Sequence, residues 1–185
     1  MSSTPPSSPS PSSSSSSHAL PPGPFFASYR SHPSPSTDLL TAFNTLAITQ
    51  NWKRGSPRYR ERLARCLITE FNATYGVDTA NLARWQRLCR ELGVVNLPGS
   101  ITQCKNVLRT FHVNLIDLLD ARRTAAAAAA AAAGVSSTRS EVAVRVRTFP
   151  NRFALAEYTR RTRRFCPRVV AKEEGFLKVL LREIM

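Results

Sequence analysis

The chain has 185 residues, enough for one domain of ordinary size plus tails, and its 26 lysines and arginines against 12 aspartates and glutamates give a net charge of +14. This charge favours a negatively charged partner. No long apolar run occurs, and residues 1–20 contain neither a basic start nor an apolar stretch, which argues against a membrane span and a secretory signal. We therefore expect an intracellular protein, nuclear or cytoplasmic, without membrane association.

The cysteines and histidines do not form a metal-binding pattern. The four cysteines lie far apart, and none is followed by another cysteine or a histidine at the spacing of metal ligands. Widely spaced cysteines are also typical of a reducing compartment. We expect no metal and no cofactor, and the sequence implies no small-molecule ligand.

The N-terminal part divides into two predicted segments. Residues 1–24 contain 11 serines and 7 prolines and no acidic, lysine or arginine side chain, which predicts a disordered arm. Residues 25–36 follow with three aromatic side chains, Phe25, Phe26 and Tyr29, which are costly to leave in water. We expect these aromatics to dock the arm onto the domain, and the alternative is an aromatic peptide offered to a partner.

Capping residues and apolar spacing predict the first two helices. Ser36 or Thr37 would cap a helix that runs to about Asn51 and presents apolar residues every three or four positions. Ser56 followed by proline at the first helical position would begin a second helix, which Gly76 would end.

Two further helices are predicted after Gly76. One opens at Asp78 or Thr79 and closes at Gly93, and the next is capped by Ser100. Residues 112–120 remain apolar, which we interpret as a further turn or helix.

An alanine run interrupts the helical pattern. Residues 125–133 are nine consecutive alanines, which favour helix but offer no face that specifies packing. We interpret residues 121–142 as an insert. Valines then alternate with arginines over 142–147, which predicts a short strand or extended segment without a visible partner.

Two helices are predicted after the insert. Asn151 would cap the first, with Leu155, Tyr158 and Phe165 facing inward. A last helix follows Pro167 and carries an apolar stripe, made of Phe176, Leu177, Leu180, Leu181 and Ile184. Together the elements predict an all-α fold of about six helices, in a single domain over residues 37–185 that the insert interrupts.

Several segments resemble a group of small fungal proteins with no assigned function. They are Phe25-Phe26, residues 85–89 (WQRLC), residues 112–119 (HVNLIDLL), Tyr158-Thr159 and residues 180–184 (LLREI). The resemblance spans about 25–124 and 143–185 and implies one folded unit, but no activity or site.

The sequence lacks the motifs of common enzymes. It contains no glycine-rich phosphate loop, no zinc-protease helix and no nucleophile elbow. Two pairs are conceivable as acid, base or nucleophile, His112 with Asp117 and Cys104 with His112, but their spacing does not bring them together reliably. We expect a non-enzymatic protein. Asp117 and Asp120 form a polar edge for which we expect salt bridges to Arg122 or Arg123.

Arginine clusters are the main functional signal. Residues 143–168 hold eight arginines and one acidic residue, and residues 53–65 hold six basic residues and one acidic residue. Because the arginine fork matches phosphate and carboxylate oxygens, we select seven candidate contact residues. These are Arg58, Arg62, Arg65, Arg160, Arg161, Arg163 and Arg164.

Three interpretations of these arginines stay open. The first is a helical interaction module that binds a protein partner through its basic surface. The second is a nucleic-acid-binding protein that contacts phosphates, with Tyr29, Trp52 and Tyr59 available to stack on bases. The third is compositional bias, since arginines outnumber lysines 22 to 4.

Overall fold

The structure, a computed structural model, describes residues 23–31, 33–34, 37–133, 144–168, 170 and 177. The predicted disordered arm, residues 1–24, lies almost entirely outside this part, as does most of the predicted last helix. The described residues form seven helices and two short strands, which confirms the all-α fold. The elements are α1 (Pro24–Ala27), α2 (Leu39–Thr49), α3 (Pro57–Tyr75), α4 (Leu82–Glu91), α5 (Ile101–Leu108), β1 (His112–Val113), α6 (Leu115–Ala133), β2 (Thr148–Phe149) and α7 (Arg152–Thr162).

Local sequence sets most of the helix boundaries. The side chains of Ser56, Ser100 and Asn151 each accept a hydrogen bond from a backbone N–H in the first turn, as predicted. Gly76 ends α3 with a φ of 77°, a left-handed conformation that glycine adopts without strain. The prediction for α2 was wrong by one or two residues, because Asp38 is the cap and its carboxylate accepts from the Thr41 N–H.

The prediction of helix for residues 112–114 was wrong. His112 and Val113 form β1, which pairs antiparallel with β2 in the register His112↔Phe149 and Val113↔Thr148. This pairing supplies the strand partner that the sequence did not show, and β2 begins directly after the predicted extended segment. Helix α6 begins only at Leu115, where the Asn114 side chain accepts from the Ile116 N–H at 3.0 Å.

Helices α3 and α6 lie at the centre of the packing. Helix α3 packs against α1, α2 and α6, while α6 also packs against α2. The buried side chains of these helices include Phe71, Leu67, Ile116 and Leu118, all essentially inaccessible to solvent. Helices α4 and α5 pack against each other, and α7 packs on the two-stranded sheet.

The alanine run continues α6 and does not start a separate element. Helix α6 extends to Ala133, so the predicted insert, residues 121–142, begins inside a packed helix. Arg122 contacts Glu91 and Arg123 lies over Phe26, which shows that the first residues of this segment belong to the domain. Residues 134–143 lie outside the described part of the chain. No helix in the described ranges is both long and apolar enough to cross a bilayer.

The aromatic segment before α2 is packed into the core. Phe25 and Phe26 are buried, and the Phe25 ring lies 6.2 Å from Phe43 and 5.2 Å from Tyr29. The backbone N–H of Phe25 donates to Glu70 of α3 at 3.1 Å. A Cβ at Gly23 would lie within 2.6 Å of the Glu70 carboxylate, so a larger residue there would have to displace this side chain.

Replacing Phe26 by alanine tests how strongly this segment holds the domain. Phe26 is fully buried, so Phe26→Ala should lower the free energy of unfolding by about 3–5 kcal/mol through lost burial and a cavity. The matched control is Phe153→Ala at an exposed position, which should change it by about 0.5 kcal/mol or less. Chemical denaturation measures both values, and equal losses in the two variants would contradict the anchoring role.

Candidate interaction surface

The arginine-rich segment after β2 contains one arginine that faces the interior. Arg163 has a left-handed backbone (φ 56°) directly after α7, and the chain then leads Arg164 back toward α6. The guanidinium of Arg164 donates to Asp117 Oδ1 at 2.7 Å and to Asp120 Oδ2 at 2.6 Å. It also lies 3.7 Å from Asp38, the N-cap of α2. Arg164 is thus the partner of the polar edge of α6, where the sequence suggested Arg122 or Arg123.

Asp120 connects this ion pair to a second helix. Its Oδ1 accepts from the Leu39 N–H at 2.6 Å, so one carboxylate serves both the start of α2 and Arg164. Burial raises the pKa of Asp120, although the Leu39 N–H and Arg164 act in the opposite direction. The pKa of Asp38 is lowered, because the hydrogen bonds from Thr41 and the charge of Arg164 outweigh its partial burial. The cluster therefore joins α2, α6 and the end of α7.

The other arginines of α7 face solvent. Arg160, Arg161 and Arg163 are exposed, as is Arg152 at the start of the helix. Two large apolar side chains accompany them: Phe153 is 71% exposed and Phe165, predicted to face inward, is 53% exposed. The guanidinium of Arg152 lies 5.1 Å from the centre of the Phe153 ring. We call the exposed arginines 152, 160, 161 and 163 with these two phenylalanines the α7 surface.

A cavity of about 220 Å³ opens beside the α7 surface. Its wall is mainly apolar and includes Val113 of β1, Leu115 of α6 and Leu155 of α7. Arg152 and Arg160 also line it, and Phe165 adds an aromatic side chain. The sheet holds one side of the cavity in place, because α7 packs on both strands.

Asn114 fixes the polar end of this cavity. Its Nδ2 donates to Thr159 Oγ1 at 3.2 Å and to the Arg164 carbonyl at 3.0 Å. Asn114 is itself buried, and all three of these residues line the cavity. A buried amide with both ends satisfied positions α7 relative to the start of α6, and it leaves the apolar wall to contact a ligand.

The arginines of α3 also include both exposed and half-buried side chains. Arg58 and Arg65 are exposed. Arg62 is half-buried: its guanidinium lies 5.7 Å from the Trp52 ring centre and donates to the Tyr29 hydroxyl at 3.2 Å. Arg62 therefore works within the domain, and the exposed arginines of α3 belong to a helix whose main neighbours are α1, α2 and α6, not α7.

The aromatic residues considered for base stacking take part in the core. Trp52 and Tyr59 are buried, and both rings pack on Phe43. Tyr29 is half-buried and lies 5.5 Å from Trp52. Among the described residues, the exposed phenylalanines are Phe153 and Phe165. From the sequence, no role was predicted for Phe153, and Phe165 was predicted to face inward.

Among the described residues, neither conceivable catalytic pair is joined by a hydrogen bond, and His112 Nδ1 has no hydrogen-bond partner. Cys104 is fully buried beside Cys89, and burial raises the pKa of its thiol, which disfavours the reactive thiolate. Asp117 is engaged by Arg164, while His112 lies on β1. In the parts of the chain that the structure describes, no three histidine, cysteine or carboxylate side chains lie together as metal ligands would.

Comparison with known proteins identifies no relative of this chain. The chain matches no protein-family model, no curated protein and no solved structure. The resemblance to small fungal proteins therefore stays a prediction.

The Arg164 cluster predicts a specific loss of stability. Arg164→Gln removes the charge that faces Asp117 and Asp120, two carboxylates that are 11% and 16% exposed. Removing one partner of such a shielded ion pair leaves the other charge uncompensated, which should lower the free energy of unfolding by about 3 kcal/mol. The control is Arg161→Gln, an exposed arginine three residues earlier, for which we expect a change of about 0.5 kcal/mol or less. Urea denaturation of both variants measures the difference, and a loss in Arg161→Gln as large as that in Arg164→Gln would refute this role.

Proposed function

We propose that the protein is a non-enzymatic helical interaction module that binds an acidic segment of a partner protein at the α7 surface. The observation that carries this proposal is the position of the apolar cavity beside exposed arginines on the same helix. In agreement with the sequence, the proposal places the protein inside the cell.

The chemistry of the α7 surface favours a protein partner. Arginine and aromatic side chains are enriched at protein interfaces, where they carry much of the binding energy. Exposed Phe153 and Phe165 provide apolar area, while Arg160, Arg161 and Arg163 attract carboxylates. A partner with acidic residues around one apolar residue would complement both features.

The cavity has room for one apolar side chain of the partner. A closed cavity of about 150 Å³ accepts a benzene molecule, and the cavity beside α7 has about 220 Å³. Because its wall is mainly apolar, burying a leucine or phenylalanine there would add to the affinity that the arginines provide. The cavity would then orient the partner and add affinity, and the arginines would attract the partner over longer distances.

The nucleic-acid alternative uses the same exposed groups differently. Arg160, Arg161 and Arg163 would contact phosphates, and Phe153 and Phe165 would stack on bases. This alternative gives no role to the apolar cavity, and it predicts an affinity that falls steeply with salt because counterions are released.

Binding of designed peptides to the full chain tests the proposal. The probe is a short fluorescent peptide of aspartates and glutamates with one central leucine, and its control carries serine in place of leucine. We expect the leucine peptide to bind at least about tenfold more tightly, because burial of the side chain contributes about 1.5–3 kcal/mol. Fluorescence anisotropy measures both affinities.

Two matched triple variants locate the binding site. Arg160→Ala, Arg161→Ala and Arg163→Ala together should weaken peptide binding at least about tenfold, whereas Arg58→Ala, Arg60→Ala and Arg65→Ala remove as much charge from α3 and should have little effect. Equal affinity for the two peptides, or equal losses in the two triple variants, would contradict the proposal. Tighter, steeply salt-dependent binding of a mixed-sequence oligonucleotide, lost in the α7 variant, would favour the nucleic-acid alternative.

A further inference from the structure

A second cavity, of about 280 Å³, lies between α3, α4 and α6 and differs in character from the cavity at α7. Three arginines line it, Arg87 of α4 and Arg122 and Arg123 of α6, against a single carboxylate, Glu70 of α3. The remaining wall consists of small or neutral side chains, Ala73, Thr74, Leu119 and Ala126. The lining is therefore positively charged overall.

Glu91, behind the cavity, holds two of these arginines in place. Its Oε1 lies 3.2 Å from Arg87 Nε and 3.0 Å from Arg122 Nη1, and its Oε2 accepts from the Tyr75 hydroxyl at 2.5 Å. The Glu91 side chain is only 7% exposed, whereas the side chains of Arg87 and Arg122 are 42% and 23% exposed, so the carboxylate is buried and both guanidinium groups reach solvent. Arg87 is fixed further by a bond of 3.3 Å from Nη1 to the Thr74 carbonyl. These bonds use one or two of the five N–H donors on each guanidinium and leave others for a ligand.

The third arginine has an unsatisfied donor. The Nε of Arg123 is buried and has no hydrogen-bond partner among the described residues. The side chain is nevertheless held firmly, since its guanidinium lies 5.6 Å from the Phe26 ring centre and Nη2 donates to the Thr37 carbonyl at 3.4 Å. A buried donor without a partner costs free energy unless water or a ligand satisfies it.

The carboxylate in the lining, Glu70, also binds the N-terminal segment of the domain. Glu70 Oε1 accepts from the Phe25 N–H, which ties it to the N-terminal segment. Burial raises its pKa, although that hydrogen bond and the charge of Arg123 act in the opposite direction. Glu70 is a single carboxylate beside three arginines in the lining, so an incoming anion meets a net positive charge.

We propose that this cavity, which we call the three-arginine cavity, binds a small molecule through a phosphate group. Three guanidinium groups on two helices suit an anion with three terminal oxygens, which a phosphate monoester has and a carboxylate lacks. The cavity is lined by residues of α3, α4 and α6 and includes none of the α7 surface, so the proposal is independent of the partner-binding function.

Titration of the full chain with three anions tests the class of ligand. The probes are inorganic phosphate, glycerol 3-phosphate as a phosphate monoester, and acetate, each followed by calorimetry at constant ionic strength. We expect saturable binding of both phosphates and none of acetate. Tighter binding of the monoester would indicate an organic ligand, and tighter binding of inorganic phosphate would indicate the free ion. No saturable phosphate binding, or acetate binding of equal affinity, would overturn the proposal.

A matched pair of variants on one helix tests the site. Arg87→Gln removes a lining arginine, and Arg90→Gln removes an exposed arginine of α4 that does not line the cavity. Phosphate affinity should fall about tenfold in Arg87→Gln, as expected for a lost hydrogen bond to a charged group, and stay within about twofold in Arg90→Gln. Equal losses in both variants would show nonspecific attraction and refute the site.

Amide NMR of the unmodified protein gives a second measurement that does not depend on the folding of a variant. Phosphate should shift the signals of Ala73, Thr74 and Ala126, which border the cavity on two helices. Shifts confined to the exposed arginine segments of α3 and α7 would overturn the proposal.

Discussion

The salt bridges of Arg164 are the contact on which the arrangement of the C-terminal half depends. Helix α7 packs mainly on a sheet of two strands with two residues each, which by itself is a small support. Arg164 adds charged hydrogen bonds to Asp117 and Asp120 on α6, and Asp120 in turn binds the start of α2. Because these groups are largely shielded from water, losing one partner leaves uncompensated charge. The position of α7, and with it the cavity at its side, follows from this cluster.

The cluster also shows that adjacent arginines have different roles. Arg163 and Arg164 are neighbours in the chain, but the left-handed backbone at Arg163 directs the two side chains to different environments. Arg62 on α3 is likewise held by Trp52 and Tyr29, while Arg58 and Arg65 remain exposed. Charge density along the sequence therefore overstates the number of arginines available to a partner. The exposed fraction of each side chain shows which arginines a partner can contact.

Local patterns were enough to predict most of the helices. Caps at Ser56, Ser100 and Asn151 and the left-handed glycine at position 76 act within a few residues, so the sequence predicts them well. The pairing of β1 with β2 joins segments 36 residues apart, and two-residue strands leave almost no periodic signal. Phe165 was predicted to face inward from its spacing alone, but it follows the end of α7, where helical spacing no longer applies.

The candidate site was predictable only in part. The sequence identified Arg160, Arg161 and Arg163 as candidates and recognised the polar edge of Asp117 and Asp120, but it did not assign Arg164 to that edge. The two cavities depend on how separate helices meet, which no local pattern reports. No local pattern predicts the role of Glu91 either, because that role follows from its contacts with α3 and α6.

The division between internal and available arginines is tested most directly by the NMR signals of the arginine Nε–H groups during titration with the acidic leucine peptide. We expect the signals of Arg152 and Arg160, whose side chains are exposed at the α7 surface, to shift. The signal of Arg164, whose guanidinium is held by Asp117 and Asp120, should keep its position. Shifts concentrated at Arg58 and Arg65, or an Arg164 signal that responds to the peptide like that of Arg160, would contradict the account.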